Sequence, residues 1–136
     1  MHPGVLLERL RGLVRSLPET SEVEAWGHPN FRAGKKTFAA FEIYRKRPCI
    51  AVKLPRPDGE TLLGDPRFFR TPYLGKHGWV SLWVDVPVTW KLVQDLVLRS
   101  HREVANRRTS TALSGTRLAR GSKKARRTSG RARDPG

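Results

Sequence analysis

The chain has 136 residues, of which 27 are Lys or Arg and 12 are Asp or Glu, for a formal net charge of +15. This length suits one hydrophobic core and excludes two independent domains; no apolar run approaches the ~20 residues of a membrane span. Cys49 is the single cysteine, which excludes an intramolecular disulfide and a cysteine metal cluster, and the segment Met1-His2-Pro3-Gly4 has none of the character of a signal peptide. The expectation is a soluble, cytoplasmic protein.

In chain order, residues 5–17 place Leu6, Leu10, Leu13 and Leu17 at helical spacing, with Val14 beside them and Glu8, Arg9, Arg11 and Arg15 left for solvent. This predicts an amphipathic helix entered after Pro3 and ended before Pro18. Short β-like runs follow at 22–26, 30–33, 37–43 and 49–54, separated by turns at 33–36 and 44–48, which predicts an antiparallel meander. Residues 55–59 break the sheet, and 60–64 read as one helical turn. The run 79–84 is a further strand, with Trp79, Ser81 and Trp83 on one face, Val80, Leu82 and Val84 on the other, and both faces partly buried. Thr89 is placed to cap a second long helix, with Val88 and Val93 stapled across the cap. Trp90, Val93, Val97, Ser100 and Val104 form its apolar stripe, widened by Leu92 and Leu96, and its end is predicted near Arg107-Arg108. The fold class is α+β: two layers, an antiparallel sheet with helices on one face.

Beyond residue 110 the apolar residues almost vanish, and such a segment does not bury enough surface to offset its ordering entropy. The division predicted is a domain at 1–109, with 19 basic and 11 acidic residues, and a disordered tail at 110–136, with 8 basic and 1 acidic. A field of this sign attracts polyanions, and nucleic acid presents the densest row of phosphates. Antiparallel pairing puts Lys35 and Lys36 at the same sheet end as Lys53 and Arg56, with Arg45, Lys46 and Arg47 at the opposite end, roughly 23 Å away. In the tail, Lys123, Lys124, Arg126 and Arg127 form the tightest cationic cluster, suited to phosphate contacts without a fixed fold.

The stretch Trp26-Gly27-His28-Pro29-Asn30-Phe31, the turn Gly34-Lys35-Lys36 and the strand Thr37-Phe38-Ala39 resemble the signature of the MmcQ/YjbR family. Pro72-Tyr73, Gly78-Trp79-Val80, Ser100-His101 and Val104-Ala105 follow in the family's order, so the resemblance spans roughly residues 5–108. It implies a frataxin-like fold and DNA binding. Where the family often has an aromatic residue, this chain has His101.

Catalytic patterns are absent from the sequence: it holds no nucleophile elbow, no phosphate-cradling glycine loop and no His or Cys metal spacing. Cys49 sits within a strand and reads as packed. Iron binding by analogy with frataxin would need a carboxylate-rich first helix, and Glu8 is the one acid there. The expectation is therefore a non-enzymatic nucleic-acid-binding protein, DNA its partner, with no cofactor and no metal. The alternative is a ligand-binding or interaction module in which Trp26, His28, Tyr73 and Trp79 line a pocket.

Overall fold

The computed structural model describes residues 2–118, with side chains described through residue 105. Among these, residues 2–104 form one compact unit, and residues 105–118 belong to a second. The elements are α1 (Pro3–Arg15), β1 (Thr20–Ala25), β2 (His28–Ala33), β3 (Lys36–Tyr44), β4 (Arg47–Lys53), α2 (Arg56–Leu62), β5 (Phe68–Arg70), β6 (Trp79–Trp83) and α3 (Trp90–Leu118), with a 3-10 turn at Gly75–His77. The strands form one six-stranded sheet in the order β1-β2-β3-β4-β6-β5, and every pairing is antiparallel.

The predicted helix, meander and long strand are all present, and the differences have local causes. Helix α1 starts at Pro3 because proline is pre-organised for the first helical position and the His2 Nδ1 accepts from the Gly4 N–H at 2.9 Å. Helix α2 starts at Arg56, four residues before the predicted turn, since Pro57 lies in the first turn, where its missing N–H leaves no bond unmade. Strand β5 has three residues, too few to show a period. Helix α3 opens with the predicted cap, the Thr89 hydroxyl accepting from the Leu92 N–H at 3.1 Å. It then runs past the predicted end near Arg107-Arg108 to Leu118. Residues 109–118 contain no proline and a single glycine, so nothing in them forbids helix. The predicted tail of 110–136 thus begins within this helix, and residues 119–136 lie outside the described ones.

One face of the sheet carries the core. Phe41, Ile50, Leu82 and Phe68 fall in register across four strands and are buried in one cluster with Leu6, Leu10 and Val14 of α1 and Val93, Leu96, Val97 and Val104 of α3. Strand β3 bulges opposite Phe31 and Arg32, which lets both Phe38 and Ala39 join this buried cluster. The bulge also leaves backbone groups to be satisfied. The β3–β4 ladder runs only to Ala39↔Val52, and Ser100 of α3 takes the next rung. Its hydroxyl accepts from the Lys53 N–H at 2.8 Å and donates to the Phe38 carbonyl, with Ser100 0% exposed. Beside it His101 packs edge-on against Phe38, ring centroids 5.0 Å apart.

Gly78 is required twice over. Its φ is +92°, and a Cβ there would lie 2.6 Å from the Leu54 carbonyl oxygen.

Candidate nucleic-acid interface

The meander fixes which turns share an end. The register closes at Ala25↔His28 and at Tyr44↔Arg47 on one end, and at Ala33↔Lys36 and Lys53↔Trp79 on the other. Lys35 and Lys36 therefore lie at the end shared with Lys53 and with Arg56 of α2, while Arg45 and Lys46 lie at the opposite end, as antiparallel pairing predicts. The eight residue steps of β3 separate the two ends by roughly 26 Å.

The three hairpin turns differ in chemistry. The β2–β3 turn takes its left-handed residue as Gly34, φ +63°, and the Gly34 N–H donates to the Glu19 carbonyl at 3.0 Å. At the other end the left-handed positions hold Trp26 (φ +58°) before Gly27, and Arg45 (φ +53°) and Lys46 (φ +67°). These are the positions where Asn and Gly are favoured, and a side chain there costs about 1–2 kcal/mol per residue. Trp26 is 94% exposed, and Arg45 and Lys46 are exposed as well.

Some surface cations are held by carboxylates and others are not. Arg11 pairs with Glu8 and Glu22, Arg67 with Asp65, Arg70 with Glu60, and Arg99 with Asp58. Lys35, Lys36, Arg45 and Lys46 form no ion pair with any described carboxylate. Arg47, predicted as a phosphate contact, is committed elsewhere: it holds Asp85 through bonds of 2.7 and 2.8 Å and lies 3.9 Å over the Trp83 ring. That hydrogen-bonded guanidinium keeps the Asp85 carboxyl below its ordinary range.

Arg47 also ends a stack that the sequence did not reveal. Trp83 stacks on Phe69 at 4.3 Å and Phe69 on Tyr44 at 5.5 Å, with Arg45 over Tyr44 at 5.2 Å. The rings come from β6, β5 and β3, so finding them requires the strand order. This layer covers Cys49, whose neighbours in register are Glu42 and Trp83. Burial pushes the Cys49 thiol up to about 12, which removes it as a nucleophile at neutral pH.

The four residues of the predicted ligand pocket are not brought together. Trp26 stands on the β1–β2 turn. His28 begins β2 beside it and meets Glu42 at 3.1 Å. Tyr73, 95% exposed with φ +66°, follows β5 at the opposite end, and Trp79 is buried beside Lys53. Among the described residues no group of three His, Cys, Asp or Glu is placed to hold a metal ion, and no helix is long and apolar enough to cross a membrane. Lys123, Lys124, Arg126 and Arg127 lie outside the described residues.

A helix, an antiparallel meander and a closing helix, with basic residues on the turns, define a small α+β protein. The YjbR family model matches residues 15–103, so the chain belongs to the YjbR family. Two solved structures are similar. The Deinococcus radiodurans protein DR2400, described by its domain DUF419, has a TM-score of 0.63 at 22% identity over 72% of this chain and 77% of its own. A protein from Pseudomonas syringae has a TM-score of 0.56 at 16% identity, over 68% of this chain and 93% of its own. At these identities the likeness concerns the fold. No curated protein matches the chain.

Proposed function

We propose that this chain is a cytoplasmic, non-enzymatic nucleic-acid-binding protein with DNA as its partner. Lys35, Lys36, Arg45 and Lys46 at the hairpin turns would contact backbone phosphates, Lys53 and Arg56 would extend the Lys35 end, and the cationic segment at residues 110–136 would add affinity without sequence preference. The frataxin-like architecture implied by the family resemblance belongs to the same reading. The observation that carries it is the availability of the turn cations. Arg11, Arg47, Arg67, Arg70 and Arg99 are neutralised by carboxylates, whereas Lys35, Lys36, Arg45 and Lys46 stand on hairpin turns with no described carboxylate paired to them. A row of phosphates is the partner that such cations suit, through direct contact and release of condensed counterions.

Mobility shifts of the full-length protein with duplex DNA, single-stranded DNA and RNA at two salt concentrations test this. Each phosphate contact contributes about 0.9 to the slope of log affinity against log salt. Changing Lys35, Lys36, Arg45 and Lys46 to Ala should lower the slope by several units, and a second set at Lys123, Lys124, Arg126 and Arg127 should lower it further while leaving any sequence preference in place. A slope near zero for the unaltered protein would overturn the proposal.

A further inference from the structure

The β1–β2 and β3–β4 turns share one end of the sheet. Two strand spacings separate them, about 10 Å. One turn presents Trp26, 94% exposed, and the other presents Arg45 and Lys46. All three residues are held in the left-handed region, so this end places a large indole and two cations where a relaxed turn would place Asn or Gly. Backbone strain is kept here at exposed positions, and the roughly 0.5 kcal/mol of an exposed cation–π contact such as Arg45 over Tyr44 does not repay it, which marks a surface shaped for a partner. Among the described carboxylates of this end, Asp85 is held by Arg47 and Glu42 by His28, leaving Glu24 to compete for Arg45 and Lys46.

We infer that this end is a single-stranded-nucleic-acid site in which an unpaired base stacks on Trp26 while the adjoining phosphates meet Arg45 and Lys46. The inference deepens the nucleic-acid reading and rests on it. Single strands are singled out because stacking on one exposed ring needs a base already free of its neighbour, whereas in a duplex that base must first be unstacked at a cost of a few kcal/mol. The layer of Tyr44, Phe69 and Trp83 does not offer a second platform. Phe69 and Arg47 both stack on Trp83, Trp83 and Tyr44 both stack on Phe69, and Arg45 lies over Tyr44.

The test uses the full chain with a fluorescein-labelled oligothymidylate, a labelled duplex and phosphatidylcholine vesicles containing phosphatidylserine. Trp26→Asn keeps a residue suited to the left-handed position, so the variant folds and should melt no lower than the parent. It should bind the oligothymidylate about 5- to 150-fold more weakly, with an unchanged salt slope and little change on the duplex, and Trp26→Phe should retain most of the affinity. Equal oligothymidylate affinity for the parent and Trp26→Asn overturns the stacking site while leaving phosphate binding intact. Absence of binding by the parent overturns both readings. Vesicle binding that depends on Trp26, without a corresponding effect on the oligonucleotide, assigns this end to a membrane surface and overturns the inference.

Discussion

Where α3 crosses the sheet, a bulge in β3 interrupts the ladder and Ser100, 0% exposed, supplies the missing bonds to Phe38 and Lys53. At the Trp26 end the backbone is also displaced from its favoured geometry, at Trp26, Arg45 and Lys46, yet those side chains stand in solvent. The buried irregularity is repaired because an orphaned polar group there costs a sizeable part of a small domain's stability. The exposed one is left in place. Residues at the first region are therefore set by folding, and those at the second by something other than folding.

Removing the repair gives the largest expected effect. Ser100→Ala leaves a buried carbonyl and a buried N–H without the partner that joined them, and it should cost about 2–4 kcal/mol in a urea unfolding measurement, with nucleic-acid affinity of the folded protein unchanged. A loss within the scatter of surface substitutions would mean that the two groups find other partners, and the contrast between the regions would fail.

The opposite sign is expected at the turn. Replacing Arg45-Lys46 by Asn and Gly relieves two left-handed side chains and should raise stability by about 1–2 kcal/mol. That gain exceeds the roughly 0.5 kcal/mol of an exposed cation–π contact such as Arg45 over Tyr44. The same variant should lower the salt slope of binding by up to about 1.8, from two phosphate contacts. A destabilised variant would show that the pair serves the fold.

The smallest effect separates paired from unpaired charge. Hydrogen bonds from Arg70, Arg67 and Arg47 hold the Glu60, Asp65 and Asp85 carboxyls below their ordinary ranges. Their folded-state pKa values are depressed, so this stabilisation is complete above the ordinary carboxylate range, near pH 4, and is lost as pH falls from there through the lower folded-state values. Thermal melts taken from neutral pH downward should be flat and then decline. Arg47→Gln should make the decline shallower, and Lys35→Gln with Lys36→Gln should leave it as it was. These pairs are exposed, and solvent screening keeps the change small.

Much of the architecture is legible in neighbouring residues. The Leu6-Leu10-Leu13-Val14 stripe, the turns between short strands, and Thr89 before an apolar stripe are signals carried within a few positions, and they produce α1, the meander and the start of α3. Placement of the turn cations at two ends also follows from the sequence, since alternating strand direction decides it. Strand β5 was not legible because three residues show no period, and the start of α2 was hidden because Pro55 and Pro57 read as breakers.

What the tertiary structure alone decided is partnership. The order β4-β6-β5 sets Phe69 and Trp83 beside Tyr44, and the crossing of α3 puts Ser100 on the open rung of β3 and β4. The fold also assigns Arg47 to Asp85 while leaving Lys46 unpaired, and it sends Trp26 and Tyr73 to opposite ends. Each of these depends on which distant segments become neighbours. A helix or hairpin records its own period and caps, but it does not record what is packed against it.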